Sequence, residues 1–484
     1  MAPREKKSAH VARARCHACR VDIPISLADQ FARRVALGTP RAREDGLPDG
    51  PTAPPAMQML SFLLTPQSFL RAVRSEYGKT ATLHIPGIPR LVQFSEPDAI
   101  REVFATSDDV MHAGEANGIL EPFLGSYSVL VLDGARHRSQ RRLLLPPFRG
   151  DRMRAYGEAM RDITARATRE WPRDTRFTMQ TESQAITLEV ILRTVFGMED
   201  GADQDRMRSL LASGLRILDN PLYIVQVFQR DLGPWSPWGR FLRLRRQIHQ
   251  EMDALIARRR REGPREDILS MLLEAKHEDG TAMSDEEIRD ELFTLLVAGH
   301  ETTATAISWT LHRLSIHPDV LARVQAELDG VLAGARELDV ERSRELVYLD
   351  AVCKESLRMH PVIPGVGRVV KRPTRIGGVD LPAGVAVGCS IYLVHYDPDT
   401  WPDPERFDPM RFIDHKPTPY TFFPFGGGLR RCIGEAFALY EMRIVLATIL
   451  KDLAPVAEVK TVRTQRRNIT LTPAGGLPIR MRAR

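Results

Sequence analysis

Apolar positions recur every three or four residues over most of the chain. This spacing predicts amphipathic helices around 151–171, 182–197, 204–219, 238–262, 266–276, 284–315, 318–334 and 343–359. Strand-like runs are few and short. Ala81 to Ile85 and Arg90 to Phe94, flanked by Gly and Pro, read as a hairpin, and a second β-like patch runs through "GRVVKRPTRIGGVDLPAGVAVGCSI". No repeat or long linker divides residues 47–484. The expectation is a single mainly helical domain with a small β region at its side. Residues 1–46 differ: they are basic, poor in large apolar side chains and followed by the turn-rich "LPDGPTAPPA", so they are expected to be a disordered extension.

One helix stands out. Ser284 with Glu287 three residues on forms a capping box, acids crowd the first turn, and the apolar pattern can continue to about Ile316, before Pro318. At about 1.5 Å per residue such a helix is nearly 50 Å long and crosses the whole domain. Its middle, "LLVAGHETTATAISW", breaks the apolar run with Gly299, Glu301, Thr302 and Thr303. Glycine costs about 1 kcal/mol there relative to alanine. Threonine hydroxyls can bend a helix by bonding back to the carbonyl four residues earlier. The apolar flanks argue against a solvated face and for a local opening into which an acid and an alcohol point.

Charge and cysteine content narrow the class. Of 68 basic and 62 acidic residues, ten and five lie in 1–46, leaving 58 and 57 in the remainder. The net charge of +6 is therefore concentrated in the extension, which disfavours a nucleic-acid binder. Five cysteines, Cys16, Cys19, Cys353, Cys389 and Cys432, are too few for a disulfide framework and suit a reducing compartment. Cys16 and Cys19 have half the spacing of a zinc site and no second pair nearby. No apolar run reaches the eighteen or more residues that span a bilayer, and no signal peptide is evident. A soluble, cytoplasmic monomer is expected.

Cys432 sits in "FPFGGGLRRCIG", ahead of the helical run "EAFALYEMRIVLATIL". A thiolate gains from backbone N–H groups at a helix N-terminus, and Gly426, Gly427, Gly428 and Gly434 allow the chain to approach closely. Arg430 and Arg431 add positive charge suited to a cofactor's carboxylates. One cysteine cannot build a zinc site, but it is sufficient as the axial ligand of a haem iron.

These residues resemble the haem-binding loop of the cytochrome P-450 monooxygenases. Its pattern F-x-x-G-x-R-x-C-x-G is met by Phe425, Gly428, Arg430, Cys432 and Gly434, which composition alone would produce in about one chain in 10⁴. "AGHETT" (Ala298 to Thr303), "ESLR" (Glu355 to Arg358) and "PERF" (Pro404 to Phe407) match further family signatures in order. The resemblance covers roughly 47–484. It implies the cytochrome P-450 fold, a triangular helical haem domain with a long central helix, and heme b (iron protoporphyrin IX) held by Cys432. It also implies propionate partners at His137, Arg141, Arg368 and Arg430, and a buried structural triad of Glu355, Arg358 and Arg406.

The implied reaction inserts one oxygen atom from O2 into a small apolar substrate, by hydroxylation or epoxidation of a fatty acid, terpenoid or similar molecule. Thiolate ligation favours cleavage of the O–O bond. Thr302 would hold a water beside the oxygen and Glu301 would relay protons. Alternatives within the fold are a peroxide-using enzyme, whose relatives generally lack the acid–alcohol pair, and a haem-binding sensor. No G-x-G-x-x-G fingerprint stands in a strand-to-helix context, so electrons are expected from a separate ferredoxin and ferredoxin reductase docking on basic residues near Cys432 and Arg138 to Arg142. Pocket walls are expected from 112–130, 206–230, Leu295 to Thr302, Val362 to Val366, and near Gly476 and Leu477.

Overall fold

The computed structural model describes residues 37–38, 46–148, 150, 152–218, 229–233, 235–467 and 469–484. The Cys16/Cys19 pair and most of the basic extension lie outside the described residues.

Among the described residues, the helices of nine or more residues are α1 (Pro55–Leu64), α2 (Pro66–Tyr77), α3 (Pro97–Ala105), α4 (Gly134–Leu144), α5 (Arg152–Glu170), α6 (Met179–Thr194), α7 (Ala202–Leu218), α8 (Pro237–Glu262), α9 (Asp285–Ile316), α10 (Pro318–Leu332), α11 (Val347–Met359) and α12 (Glu435–Leu450). Each helical stretch expected from periodicity is present, the one over 266–276 as the shorter Ile268–Glu274. The stretch over 343–359 begins with a separate 3-10 turn at Arg342–Glu345. Besides α4, periodicity left out α1, α2 and α3. All three open on a proline at the first helical position, where the missing N–H costs nothing and φ is already helical. In the sequence those prolines read as turn punctuation.

The expected hairpin forms from β1 (Thr80–Leu83) and β2 (Leu91–Phe94), paired antiparallel with Thr80 opposite Phe94 and Leu83 opposite Leu91. The late β-like patch supplies β5 (Gly365–Val370) and β8 (Ala386–Ser390), with β6 (Thr374–Ile376) and β7 (Val379–Leu381) as a separate pair. With β3 (Met111–His112) they complete a five-stranded sheet ordered β1-β2-β8-β5-β3, in which only β2 and β8 run parallel. A three-stranded sheet, β4 (Phe177–Thr178), β12 (Pro478–Ala483) and β9 (Leu453–Ala457), and a hairpin of β10 (Thr464–Arg467) and β11 (Thr470–Pro473) close the chain.

Helix α9 is the axis of the helical part. Its capping box forms as the sequence predicts: the Glu287 amide donates to Ser284 Oγ at 3.2 Å and the Ser284 amide to Glu287 Oε2 at 2.8 Å. Its thirty-two residues pack against α6, α11, α12 and β9, with Leu292, Leu296, Ile307, Leu311 and Leu314 in the main core. A second core, built from Val92, Phe94, Ile100, Phe104 and Val387, lies under the five-stranded sheet. Cys432 lies on the loop leading into α12, a helix that packs on α9 and α11.

Helix α12 carries a buried acid. Glu441 is buried with Oε1 lacking a hydrogen-bond partner, and desolvation pushes its carboxyl up to about 8. Between the ordinary carboxylate value and pH 8 the folded chain keeps a proton that the unfolded chain releases. Stability therefore falls as pH rises through that window and is level above it. Glu441→Gln is expected to match the parent below about pH 4 and to exceed it by about 3–5 kcal/mol above pH 8, read from urea melts across the pH range.

Candidate functional site

The loop before α12 is shaped by contact with α3. A Cβ on Gly427 would fall on the Phe104 ring, and one on Gly428, at φ +62°, would fall 2.3 Å from the Phe104 carbonyl oxygen. These two glycines therefore serve the approach of the loop to α3. The amide that favours the Cys432 thiolate is that of Gly434, at the N-terminal cap position of α12, which pulls the thiol's pKa down. Cys432 is accessible to solvent, yet desolvation raises its pKa, with the Gly434 amide pulling the other way. The thiol is therefore reachable by solvent while its neighbours crowd most of its surroundings.

A buried ion pair anchors this loop. Glu355 and Arg358, one turn apart on α11, are both fully buried and joined by two hydrogen bonds of 2.7 and 2.8 Å. Arg358 also donates to the carbonyls of His395 at 2.8 Å and Pro404 at 2.9 Å. His395 Nε2 accepts from the Phe423 amide at 3.2 Å, and Nδ1 faces the Arg358 carbonyl, so the ring links the ion pair to the start of the Cys loop. Burial and Arg358 pull its pKa down to about 3, which keeps the ring neutral, as this pair of bonds requires.

Arg406 does not complete the triad. Its side chain is 71% exposed and faces Asp408, while only its backbone carbonyl reaches Arg358. Arg411 takes the place, with Nε 3.6 Å from Glu355 Oε1 and a bond to the Asp403 carbonyl. The signal was present: Pro409-Met410-Arg411-Phe412 repeats the spacing of Pro404 to Phe407, and only the fold distinguishes them.

The expected propionate partners converge. His137 on α4 is buried with Nδ1 unpartnered, and burial with Arg430 and Arg141 nearby pulls its pKa down to about 3. Burial lowers Arg430 to about 10, opposed by Asp133 and assisted by Arg368. Arg368, on β5, is buried and likewise depressed by desolvation. Like charges gathered where water is scarce call for an anionic ligand. Sequence reading missed Asp133. Its carboxylate accepts from the amides of Gly114 and Glu115, both at 2.8 Å, and from Arg430 at 2.5 Å, tying the 113–116 turn to the Cys loop.

On α9 the two expected catalytic residues take different directions, because adjacent helical positions differ by about 100°. Thr302 Oγ1 donates to the Ala298 carbonyl at 2.5 Å, the back-bond expected from the sequence. Ala298 is exposed in the middle of an otherwise largely buried helix, so it faces open space. Glu301 does not share that opening. Its carboxylate accepts from Gln184 at 2.5 Å and Gln180 at 3.3 Å on α6 and pairs with Arg467 of β10 at 3.4 Å. Gly476 and Leu477 are not apolar pocket walls either: Gly476 packs on Thr178, and Leu477 is fully buried. The expected wall over 219–228 lies outside the described residues.

A sequence model described as Cytochrome P450 matches residues 48–477. The chain belongs to the cytochrome P-450 family. It is 41% identical over 446 residues to "Putative cytochrome P450 135B1" of Mycobacterium tuberculosis, covering 90% of this chain and 92% of that one. It is 37% identical over 453 residues to "Putative cytochrome P450 138" of the same species, covering 90% and 97%. Among solved structures, "Retinoic acid bound cyanobacterial CYP120A1" is similar with a TM-score of 0.78 and 25% identity, covering 88% of this chain and 96% of that one.

Cytochromes P-450 are haem-thiolate monooxygenases, and the residues present fit such a group. The chain offers one accessible thiol at the start of α12, an exposed alanine on α9, and a buried cationic cluster with an orphaned imidazole nitrogen suited to carboxylates. Arg358→Ala removes both guanidinium hydrogen bonds of the buried Glu355 and leaves it only Arg411 at 3.6 Å and the Asp408 amide, and is expected to cost about 3–5 kcal/mol and to yield apoprotein or no soluble protein. Arg411→Ala is expected to lower haem retention and melting temperature, whereas Arg406→Ala leaves both near the parent value. Haem-to-protein absorbance ratios and melting curves of the three variants check this, and a normal haem spectrum from Arg358→Ala would contradict it.

Proposed function

We propose that residues 47–484 form one monooxygenase unit in which Cys432 ligates heme b and His137, Arg141, Arg368 and Arg430 face its propionates. The observation that carries this reading is the accessible Cys432 thiol two residues before the N-terminal cap of α12, in the loop packed against Phe104. When bound, the haem supplies activation of O2 and transfer of one oxygen atom to substrate, with the thiolate favouring O–O cleavage.

The chain's own residues supply position and protons. Thr302 spends its hydroxyl proton on the Ala298 carbonyl, so its lone pairs are left to hold a water. Glu301 is the proton source for that water, and reaches it by turning away from Gln184 and Arg467. The presence of both residues supports use of O2 over peroxide.

An apolar substrate, a fatty acid or terpenoid, suits pocket walls drawn from 112–130, Leu295 to Thr302 and Val362 to Val366. The similar cyanobacterial protein is described as bound to retinoic acid, which supports the same class. Electrons come from a ferredoxin and its reductase, in the cytoplasm, docking on the face that includes the exposed Arg138, Arg142 and Arg431, whose present partners Asp108, Glu278 and Glu435 an acidic protein would displace. No helix among the described residues is long and apolar enough to cross a membrane.

Titration of the purified protein with fatty acids, terpenes and steroids is expected to give the spectral change of water displacement with the first two classes; no response to either would overturn the substrate assignment. Thr302→Ala is expected to lower product formed per NADPH several-fold while NADPH consumption continues and peroxide accumulates, with Thr302→Ser close to the parent. Reduction by ferredoxin is expected to slow as salt rises.

A further inference from the structure

The first half of α9 carries three buried polar side chains that the proposed chemistry does not use: Asp290, Glu291 and Thr294. Together they grip one stretch of backbone. The Tyr127 amide donates to Asp290 Oδ2 at 3.2 Å, the Val129 amide donates to Glu291 Oε1 at 2.9 Å, and the Thr294 and Ser128 hydroxyls meet at 2.8 Å. The approach leaves no room for a side chain at Gly125, where φ is +90° and a Cβ would fall 2.1 Å from Asp290 Oδ2.

The other side of this stretch meets Arg430. The Val129 carbonyl accepts from Arg430 Nη1 at 3.3 Å, and the Leu132 carbonyl and the Asp133 carboxylate both accept from Nη2 at 2.5 Å. All three bonds of the guanidinium therefore end on residues 129–133. Val129 is the point where the two sets join, because its N–H serves Glu291 and its carbonyl serves Arg430. Glu291 has no exposure and Val129 is buried, so water cannot take the place of a lost bond between them. Desolvation raises the Glu291 carboxyl well above its ordinary value, against the pull of Gln140 on α4 and of the Val129 amide. What Val129 requires there is an acceptor oxygen rather than a charge.

We propose that Glu291 is a positioning residue for Arg430: by holding Val129 it fixes where the guanidinium stands, and so governs how firmly the haem is kept and at what potential it is reduced. Glu291 itself makes no bond to Arg430, and the effect passes through the backbone of one residue. The inference rests on the reading of Arg430 as a partner of the haem carboxylates.

Two measurements on the haem-loaded full chain test it: the rate of haem release to apomyoglobin, and the haem reduction potential from a spectroelectrochemical titration. Glu291→Leu is expected to release haem about tenfold faster. Its potential is expected to fall, because a cation less firmly held beside carboxylates leaves the site more negative and favours the oxidised iron. Glu291→Gln keeps an uncharged acceptor and is expected to match the parent in both. Glu291→Asp, one methylene shorter, is expected to move both in the direction of Glu291→Leu, and keeps the test readable if that variant folds poorly. Adding Glu291→Leu to Arg430→Gln is expected to change neither quantity further, since the two residues act through one contact. A lowered melting temperature with release and potential unchanged, a glutamine variant as impaired as the leucine one, or additive effects in the double variant would overturn the positioning role. Parent-like release and potential in Arg430→Gln would instead overturn the reading of Arg430 as a carboxylate partner, and this inference with it.

Discussion

The placement of Cys432 depends on a charge pair far from water. Glu355 and Arg358 have no exposure, and a pair so buried is stable only when every remaining donor and acceptor is met. Here the unmet groups are answered by the backbone of the segment that must be positioned: carbonyls of His395 and Pro404 for the guanidinium, the Asp408 amide for the carboxylate. The His395 ring passes the constraint on to the Phe423 amide, nine residues ahead of the thiol. The electrostatic requirement of one helix turn thus becomes the register of a loop. Phe104 completes the fit from the other side by packing where Gly427 and Gly428 carry no side chain.

Helix α9 separates two chemistries within a single turn. Thr302 bonds back to the carbonyl of the exposed Ala298, while Glu301 is drawn by glutamines and an arginine toward a polar cavity. The same helix also holds the 127–129 segment: Asp290 accepts from the Tyr127 amide and Glu291 from the Val129 amide, with desolvation raising both carboxyl pKa values. Val129 and Leu132 carbonyls in turn accept from Arg430. Substrate-side loop, central helix and Cys loop are therefore one hydrogen-bonded frame, and Asp133 is the point where the turn at 113–116 joins it.

Much of this was legible in the residues because the determining signals are local. The capping box at Ser284, the threonine back-bond at Thr302 and the glycine-rich approach to Cys432 each lie within a few positions of their effect. What stayed hidden depends on distance in space. Arg406 and Arg411 carry the same local spelling, and only the chain's path past α11 decides which one reaches Glu355. Asp133 sits where a helix cap is expected, yet its carboxylate serves a turn nineteen residues earlier and an arginine some three hundred residues later. The prolines that open α1 to α3 give no helix signal by themselves, because the same residue starts a helix and ends a run. The sequence reading sends Glu301 and Thr302 into one opening, whereas the turn of about 100° between them and partners from α6 and β10, which no local pattern brings together, take Glu301 elsewhere.

The central claim is that a cysteine thiolate at position 432 holds the haem iron. The carbon monoxide difference spectrum of the reduced, haem-loaded chain tests it most directly. The account predicts the long-wavelength band of thiolate ligation in the parent and its replacement by an imidazole-type band in Cys432→His with haem retained. A parent spectrum without the thiolate band, or a thiolate band that survives the substitution, would contradict it.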